Sequence, residues 1–187
     1  MEHIKLDKEA KILMVGCGNS RMSEQMYDDG FKNMVNMDIS PYVIEKMKVY
    51  TDKKEKFMEW VAMDATKMTF EDKSFDLVID KGTIDAVICG DDIEIPFKIM
   101  DEMCRVVKHD SNIMLISNSG PSQRKFMFEA RVPVDKFEVS YTSETLSGQS
   151  ELINILRARM GDRPLCEAFK EADILKKACI ESTFFLS

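Results

Sequence analysis

Apolar runs alternate with amphipathic segments along this chain up to about residue 130. The apolar runs have the length of β-strands, and the segments between them repeat their apolar residues at helical spacing. Repetition of this kind predicts βαβ units, and therefore an α/β fold with a parallel sheet covered by helices on both faces. The predicted strands are 11–15, 33–37, 57–63, 75–79 and 113–117, and the predicted helices are 20–29, 41–50 and 95–107.

Several predicted elements also have local signals. Gly30 is a typical stop for the first helix, whereas Ser40 and Pro41 read as the N-cap and first residue of the second. The strand at 75–79 is almost entirely apolar, so we expect it to be buried on both faces of the sheet.

The pattern changes in the last part of the chain. Two strands, at 137–142 and 152–159, are predicted with only a polar link between them, so they should pair antiparallel. A last helix is predicted at 165–178. With no repeat and no linker, we expect a single domain over 1–187, with a core at about 11–159 and a C-terminal extension at 160–187.

Composition restricts the possible partners. A formal net charge of −7 argues against a general binder of nucleic acid or anionic membranes. No apolar stretch approaches the roughly 20 residues of a membrane span, and the first residues lack the apolar core of a signal peptide. Five dispersed cysteines and two histidines indicate free thiols and no metal site. We therefore expect a cytoplasmic protein, and a monomer.

The segment I-L-M-V-G-C-G-N-S at 12–20 carries the most chemical information. A strand that enters a turn with Gly16 and Gly18 lets a ligand lie against bare backbone, and the following helix offers unpaired N–H groups to an anion. Asp38 closes the next predicted strand, where a carboxylate can accept hydrogen bonds from ribose hydroxyls. This arrangement predicts a cofactor that contains a nucleoside.

Two further positions narrow the choice of cofactor. A dinucleotide turn needs glycine or alanine three residues after its second glycine, and here that position is Arg21. Asp64 closes the third predicted strand, where its carboxylate could accept from an adenine amine. Each charged hydrogen bond of this kind is worth about 1.5–3 kcal/mol. The alternative for Asp38 and Asp64 is a solvated loop residue or a helix cap.

Together the glycine turn, the two acids, F-D-L-V-I-D at 75–80 and the two final strands resemble the seven-stranded S-adenosylmethionine-dependent methyltransferases. The similarity extends over about 11–159. More narrowly, V-G-C-G-N-S and D-K-G-T-I-D-A, the latter at 80–86, resemble the branch that contains the elongation-factor-1A and citrate synthase lysine methyltransferases. This branch shares an aromatic-bearing helical segment before strand one, whereas here no Phe, Tyr or Trp precedes Lys11.

The resemblance implies a Rossmann-like, doubly wound seven-stranded sheet of order 3-2-1-4-5-7-6, with the last strand antiparallel. It also implies S-adenosylmethionine as cofactor, with product S-adenosylhomocysteine, and Lys81 making its contact through the backbone. The implied cofactor-binding residues are Gly16, Cys17, Gly18, Asn19, Asp38, Ile39, Met63, Asp64, Ala65 and Lys81. Cys17 is interpreted as a small residue that the turn tolerates rather than as a reactive thiol.

The acceptor implied by this branch is a lysine of a protein substrate. A lysine must be neutral to attack, so it needs an acidic, partly dry pocket. Asp80 and Asp85 are the catalytic candidates that could orient the amine. In the alternative, Asp80 orders the turn and Asp85 caps the next helix. Methyltransferases that act on DNA or glutamine resemble one another in having N-P-P-Y at this strand end. This chain has D-K-G-T at 80–83, which disfavours those acceptors.

Three other functions stay open from the sequence. The first is a small-molecule methyltransferase on the same fold, and the second is a catalytically weak module that only binds the cofactor. The third is a nicotinamide-linked oxidoreductase, which Arg21 disfavours.

Overall fold

The computed structural model describes residues 6–117, together with the backbone of two later strands. Its strands are β1 Ile12–Val15, β2 Met34–Asp38, β3 Glu59–Ala62, β4 Phe75–Lys81, β5 Val107–Ser117, β6 Phe137–Ser143 and β7 Leu152–Ala158. Its helices are α1 Met22–Asp28, α2 Pro41–Asp52, α3 Thr83–Val87 and α4 Glu94–Val106.

The strands form one seven-stranded sheet in the order β3-β2-β1-β4-β5-β7-β6. Strands β1 to β5 pair in parallel, and β7 is antiparallel to both β5 and β6. The α/β class is confirmed, and the strand order is the one that the resemblance implies. Val15 pairs with both Met37 and Asp80, so the carboxyl ends of β2, β1 and β4 meet at one edge of the sheet.

Two hydrophobic clusters cover the sheet. Residues of β1 alternate between them, with Leu13 and Val15 in one cluster and Ile12 and Met14 in the other. All four are at most 1% exposed, so β1 is enclosed on both faces. The predicted burial of 75–79 is confirmed except at Asp76, which is half-buried. This packing fixes the positions from which the turns at the strand ends project.

Several element boundaries differ from the sequence predictions. The first helix begins at Met22 rather than at Ser20, because Ser20 turns back on Cys17 and its hydroxyl accepts from the Met22 N–H at 3.2 Å. The predicted cap of the second helix is confirmed, since the Ser40 hydroxyl accepts from the Val43 N–H at 3.4 Å.

Strand β5 is also longer than predicted, because α4 passes directly into it at Val107. The polar residues 108–111 bulge opposite β4, and Asp110 has a φ of +56° there. The predicted helix at 165–178 lies outside the described residues, and the domain boundaries stay a prediction.

Candidate active site

The turn after β1 contains two glycines in the left-handed region, Gly16 with φ +57° and Gly18 with φ +52°. A Cβ atom on Gly18 would meet nothing within 4 Å, so this residue borders open space. A Cβ atom on Gly16 would lie 2.0 Å from the Thr83 hydroxyl oxygen. Gly18 therefore leaves room for a ligand, whereas Gly16 is required by the close approach of Thr83.

Asp38 lies beside this turn at the end of β2 and is half-buried. Its Oδ2 accepts from the Gly18 N–H and its Oδ1 from the Ser40 N–H, each at 2.9 Å. A carboxylate oxygen can accept more than one hydrogen bond, so these contacts orient Asp38 and leave capacity for ribose hydroxyls. The next residue, Ile39, is 74% exposed and offers an apolar surface for a base.

Cys17 is buried under the turn, and its N–H donates to the Met37 carbonyl at 2.9 Å. Burial, with the nearby charge of Asp38, raises the pKa of its thiol to about 12. The side chain is therefore an uncharged packing residue, as predicted. Cys104 is also buried, whereas Cys89, just beyond α3, is exposed. Asn19 is exposed at the tip of the turn.

The segment after β3 lies next to Asp38, since the Met63 N–H donates to the Asp38 carbonyl at 2.9 Å. Asp64 is exposed, and its Oδ1 accepts from both the N–H and the hydroxyl of Thr66 at 2.8 Å. These hydrogen bonds hold the pKa of Asp64 below its usual range, so it stays ionised and able to accept from an amine. Ala65 is half-buried there. Its contact with adenine, and that of Asp64, stay predictions.

Asp80 is 2% exposed near the end of β4. Its Oδ1 accepts from the N–H groups of Thr83 at 3.1 Å and Ile84 at 3.3 Å, which fixes the start of α3. Burial raises the pKa of this carboxyl to about 7, against these hydrogen bonds, and the charge of Asp85 adds to the rise. The geometry matches the alternative in which Asp80 orders the turn. Lys81, the last residue of β4, is exposed.

Asp85 is half-buried in the first turn of α3, and its Oδ1 accepts from the Ser117 hydroxyl at 2.7 Å. Asp80, rather than Asp85, accepts from the first N–H groups of this helix, so the contacts do not support the alternative in which Asp85 is its cap. Ser117 and Thr83 were not among the site residues predicted from sequence. The available signal for Ser117 was its position at the end of β5, since parallel strands gather their carboxyl ends at one edge.

Arg21 occupies the position where a dinucleotide turn has its third small residue. Its side chain is 62% exposed, and its Nε donates to Glu24 at 2.8 Å. Close packing of helix on strand at that position, which the dinucleotide turn requires, is therefore absent.

Glu24 is 3% exposed and also contacts Lys54 at 2.7 Å and Lys56 at 3.1 Å. The hydrogen bond from Arg21, with those from the two lysines, holds the pKa of Glu24 well below its usual range.

The residues at this edge fit S-adenosylmethionine. Gly18 leaves backbone open to a ligand, Asp38 keeps acceptor capacity for a ribose, and Ile39 supplies an apolar surface. The Asp38 carboxylate also suits a cationic sulfonium compound. Within the described part of the chain, no three His, Cys, Asp or Glu side chains are grouped so that they could hold a metal ion.

A Rossmann-like sheet with this glycine turn and acidic strand ends defines a class of protein, the S-adenosylmethionine-dependent methyltransferases. The sequence profile described as "Methyltransferase domain" matches residues 13–115, more than half of the chain. The chain belongs to this methyltransferase domain family. Its cofactor is S-adenosylmethionine, as predicted.

Two curated relatives illustrate the similarity. The "eEF1A lysine and N-terminal methyltransferase homolog" of Drosophila melanogaster is 49% identical over 84 residues, which is 45% of this chain and 12% of the relative. The mouse "EEF1A lysine methyltransferase 4" is 30% identical over 130 residues, 64% of this chain and 50% of the relative. This chain therefore spans at most half the length of these two relatives.

Solved structures share the fold at low sequence identity. The YcgJ protein of Bacillus subtilis superposes with a TM-score of 0.67 at 12% identity, covering 86% of this chain and 96% of its own. A SAM-dependent methyltransferase from Aquifex aeolicus gives 0.67 at 14% identity, covering 85% and 87%. In the described residues, no helix is both long and apolar enough to cross a membrane.

Proposed function

We propose that this chain is a protein-lysine N-methyltransferase that uses S-adenosylmethionine. The observation that carries this proposal is that the names of the relatives all include methylation of a lysine in eEF1A. The longer relatives are also named for methylation of a protein N-terminus, whereas the mouse methyltransferase 4 is named for lysine alone. Lysine is therefore the acceptor common to all of them. A translation factor as substrate would place the reaction in the cytoplasm.

The cofactor, when bound, supplies a methyl group on a sulfonium that a neutral amine can attack. We assign its ribose to Asp38 and its adenine to the segment 63–65, beside the turn at Gly16 and Gly18. Lys81 would contact it through the backbone at the end of β4. The hydrogen bonds that already orient Asp38 support this assignment, because they reduce the reorganisation needed on binding.

Of the two candidate catalytic acids, Asp85 fits the acceptor better. Its carboxylate is half-buried, and its Oδ1 accepts from the Ser117 hydroxyl at 2.7 Å. A carboxylate has two oxygens that can each accept more than one hydrogen bond, so it can also bind a lysine ammonium. Asp80 is enclosed, and its Oδ1 is occupied by backbone N–H groups. In this proposal Asp85 binds and orients the lysine ammonium, the ammonium releases its proton to water, and the neutral amine then attacks the methyl group. Asp80 maintains the turn that positions Asp85.

Methyl transfer from radiolabelled S-adenosylmethionine tests the acceptor. The full chain is incubated with purified eEF1A and, separately, with a cell lysate resolved by size, and labelled protein is mapped by mass spectrometry. We expect label on a lysine side chain, including in eEF1A whose N-terminus is blocked by acetylation. Asp38→Ala should abolish the label, and Asp52→Asn, an exposed acid at the end of α2, should retain it.

The other outcomes separate the alternatives. Label confined to the N-terminal peptide would replace lysine by the α-amine as acceptor. Label confined to the low-mass fraction of the lysate would support a small-molecule methyltransferase instead. Cofactor binding with no transfer to any fraction would favour a catalytically weak binding module.

A further inference from the structure

The side chain of Thr83 connects the two turns that make up the site. Its hydroxyl donates to the Val15 carbonyl at 3.1 Å and to the Gly16 carbonyl at 3.3 Å. Thr83 begins α3, whereas Val15 and Gly16 end β1 and open the glycine turn. The contact therefore joins the two sequence motifs directly, although 67 positions separate Thr83 from Gly16.

Thr83 also fills the space that the missing side chain of Gly16 leaves. A Cβ atom on Gly16 would lie 2.0 Å from Oγ1 and 2.6 Å from Cγ2 of Thr83. Both branches of the threonine side chain therefore face the Gly16 backbone. Because Gly16 has a left-handed φ of +57°, this contact acts on the residue whose conformation starts the turn.

The backbone of Thr83 is itself held on a rigid element. Its N–H donates to Asp80 Oδ1 at 3.1 Å, and Asp80 belongs to β4, whose central residues are completely buried. The hydroxyl therefore projects from a fixed position. A glycine-rich turn has many accessible conformations in isolation, so an anchor of this kind limits how many it samples.

We propose that Thr83 is a positioning residue for cofactor binding, which holds the turn at Gly16 and Gly18 in the conformation that accepts the cofactor. This inference rests on the proposed function only in that S-adenosylmethionine is the cofactor. It does not depend on which group accepts the methyl. The apparent dissociation constant rises in inverse proportion to the fraction of molecules in the competent conformation. Loss of one hydroxyl anchor should therefore weaken cofactor affinity by about tenfold.

The test compares Thr83→Val with Thr83→Ser and with a matched control. Valine keeps the shape and removes the hydroxyl, whereas serine keeps the hydroxyl. The control is Thr51→Val in α2, because the fully buried Thr51 hydroxyl likewise donates to two carbonyls, those of Met47 and Lys48, both at 3.1 Å. Affinity for S-adenosylhomocysteine is measured by calorimetry, well below the melting temperature of each ligand-free variant.

We expect Thr83→Val to bind S-adenosylhomocysteine about tenfold more weakly than the wild type, and Thr83→Ser to bind it nearly normally. Thr51→Val should lower the melting temperature and leave the affinity unchanged. Wild-type affinity in Thr83→Val would overturn the proposal, and so would equal losses in the valine and serine variants. If the valine variant does not fold, Thr83→Ala, which also lacks the hydroxyl, is compared with Thr83→Ser instead. A wild-type chain that does not bind S-adenosylhomocysteine would refute the cofactor assignment itself.

Discussion

Replacing Asp80 by asparagine should remove a loss of stability that the wild-type protein undergoes as pH rises. Burial raises the pKa of this carboxyl from 3.8 to about 7. An acid with a raised pKa in the folded state contributes most below its unfolded pKa, and that contribution is lost as pH rises through the folded pKa. The stability assigned to Asp80 therefore falls across the range between these two values.

The magnitude follows from the size of the shift. Each pKa unit corresponds to about 1.36 kcal/mol, so complete ionisation costs the folded state about 4 kcal/mol. Of this, about 2 to 3 kcal/mol falls between about pH 5 and about pH 8. Asparagine cannot ionise, and its carbonyl oxygen can replace Oδ1, which accepts from Thr83 at 3.1 Å and Ile84 at 3.3 Å.

Urea unfolding at several pH values measures the effect, with the single tryptophan, Trp60, or circular dichroism as probe. The other titrating groups are common to both proteins, so they cancel in the difference between the two free energies of unfolding. We expect the difference to change in favour of Asp80→Asn by about 2 to 3 kcal/mol between about pH 5 and about pH 8. If the two curves run parallel, the carboxyl does not titrate in this range and the reasoning is refuted.

Three further perturbations test the site and its surroundings. Asp38→Ala should weaken S-adenosylhomocysteine binding by about a hundredfold or more without unfolding the chain, as judged by calorimetry and circular dichroism; unchanged affinity would contradict the ribose assignment. Asp85→Asn should lower single-turnover methyl transfer at least about tenfold while that affinity is retained, and wild-type turnover would remove Asp85 from the acceptor site. Because the pKa of Glu24 is lowered in the folded state, the Glu24 carboxylate stabilises the fold above about pH 4.5, and this stabilisation is lost as pH falls. Glu24→Gln should therefore melt with less acid sensitivity than the wild type, and equal sensitivity would show that the Glu24 cluster does not contribute.

The fold was predictable where burial and local signals agree. β4 is a nearly continuous apolar run, and the second helix carries its own cap at Ser40. The start of β5 was not predictable in the same way. Residues 108–111, just after its first residue Val107, are polar and form a bulge, so their pattern is that of a loop although their backbone belongs to the strand.

That Gly18 and Asp38 lie together could be predicted from sequence, because a parallel sheet gathers the carboxyl ends of its strands at one edge. The acceptor side was less accessible. Asp80 and Asp85 are the same residue type, and they differ in burial and in hydrogen-bond partners, which depend on the packed structure. Ser117 was missed for the same reason, since it meets Asp85 from 32 positions away.

The unequal burial of the cysteines has a practical consequence. In the described region, the thiols of Cys17 and Cys104 are buried with pKa values of about 12, whereas Cys89 is exposed just beyond α3. Maleimides react with thiolates at accessible positions, so they should select Cys89 once Cys166 and Cys179 are replaced by serine. A fluorophore attached there would sit next to Asp85, whose carbonyl lies 3.5 Å from the Cys89 sulfur. If Asp85 binds the methyl acceptor as proposed, the emission of this fluorophore should change when the acceptor arrives.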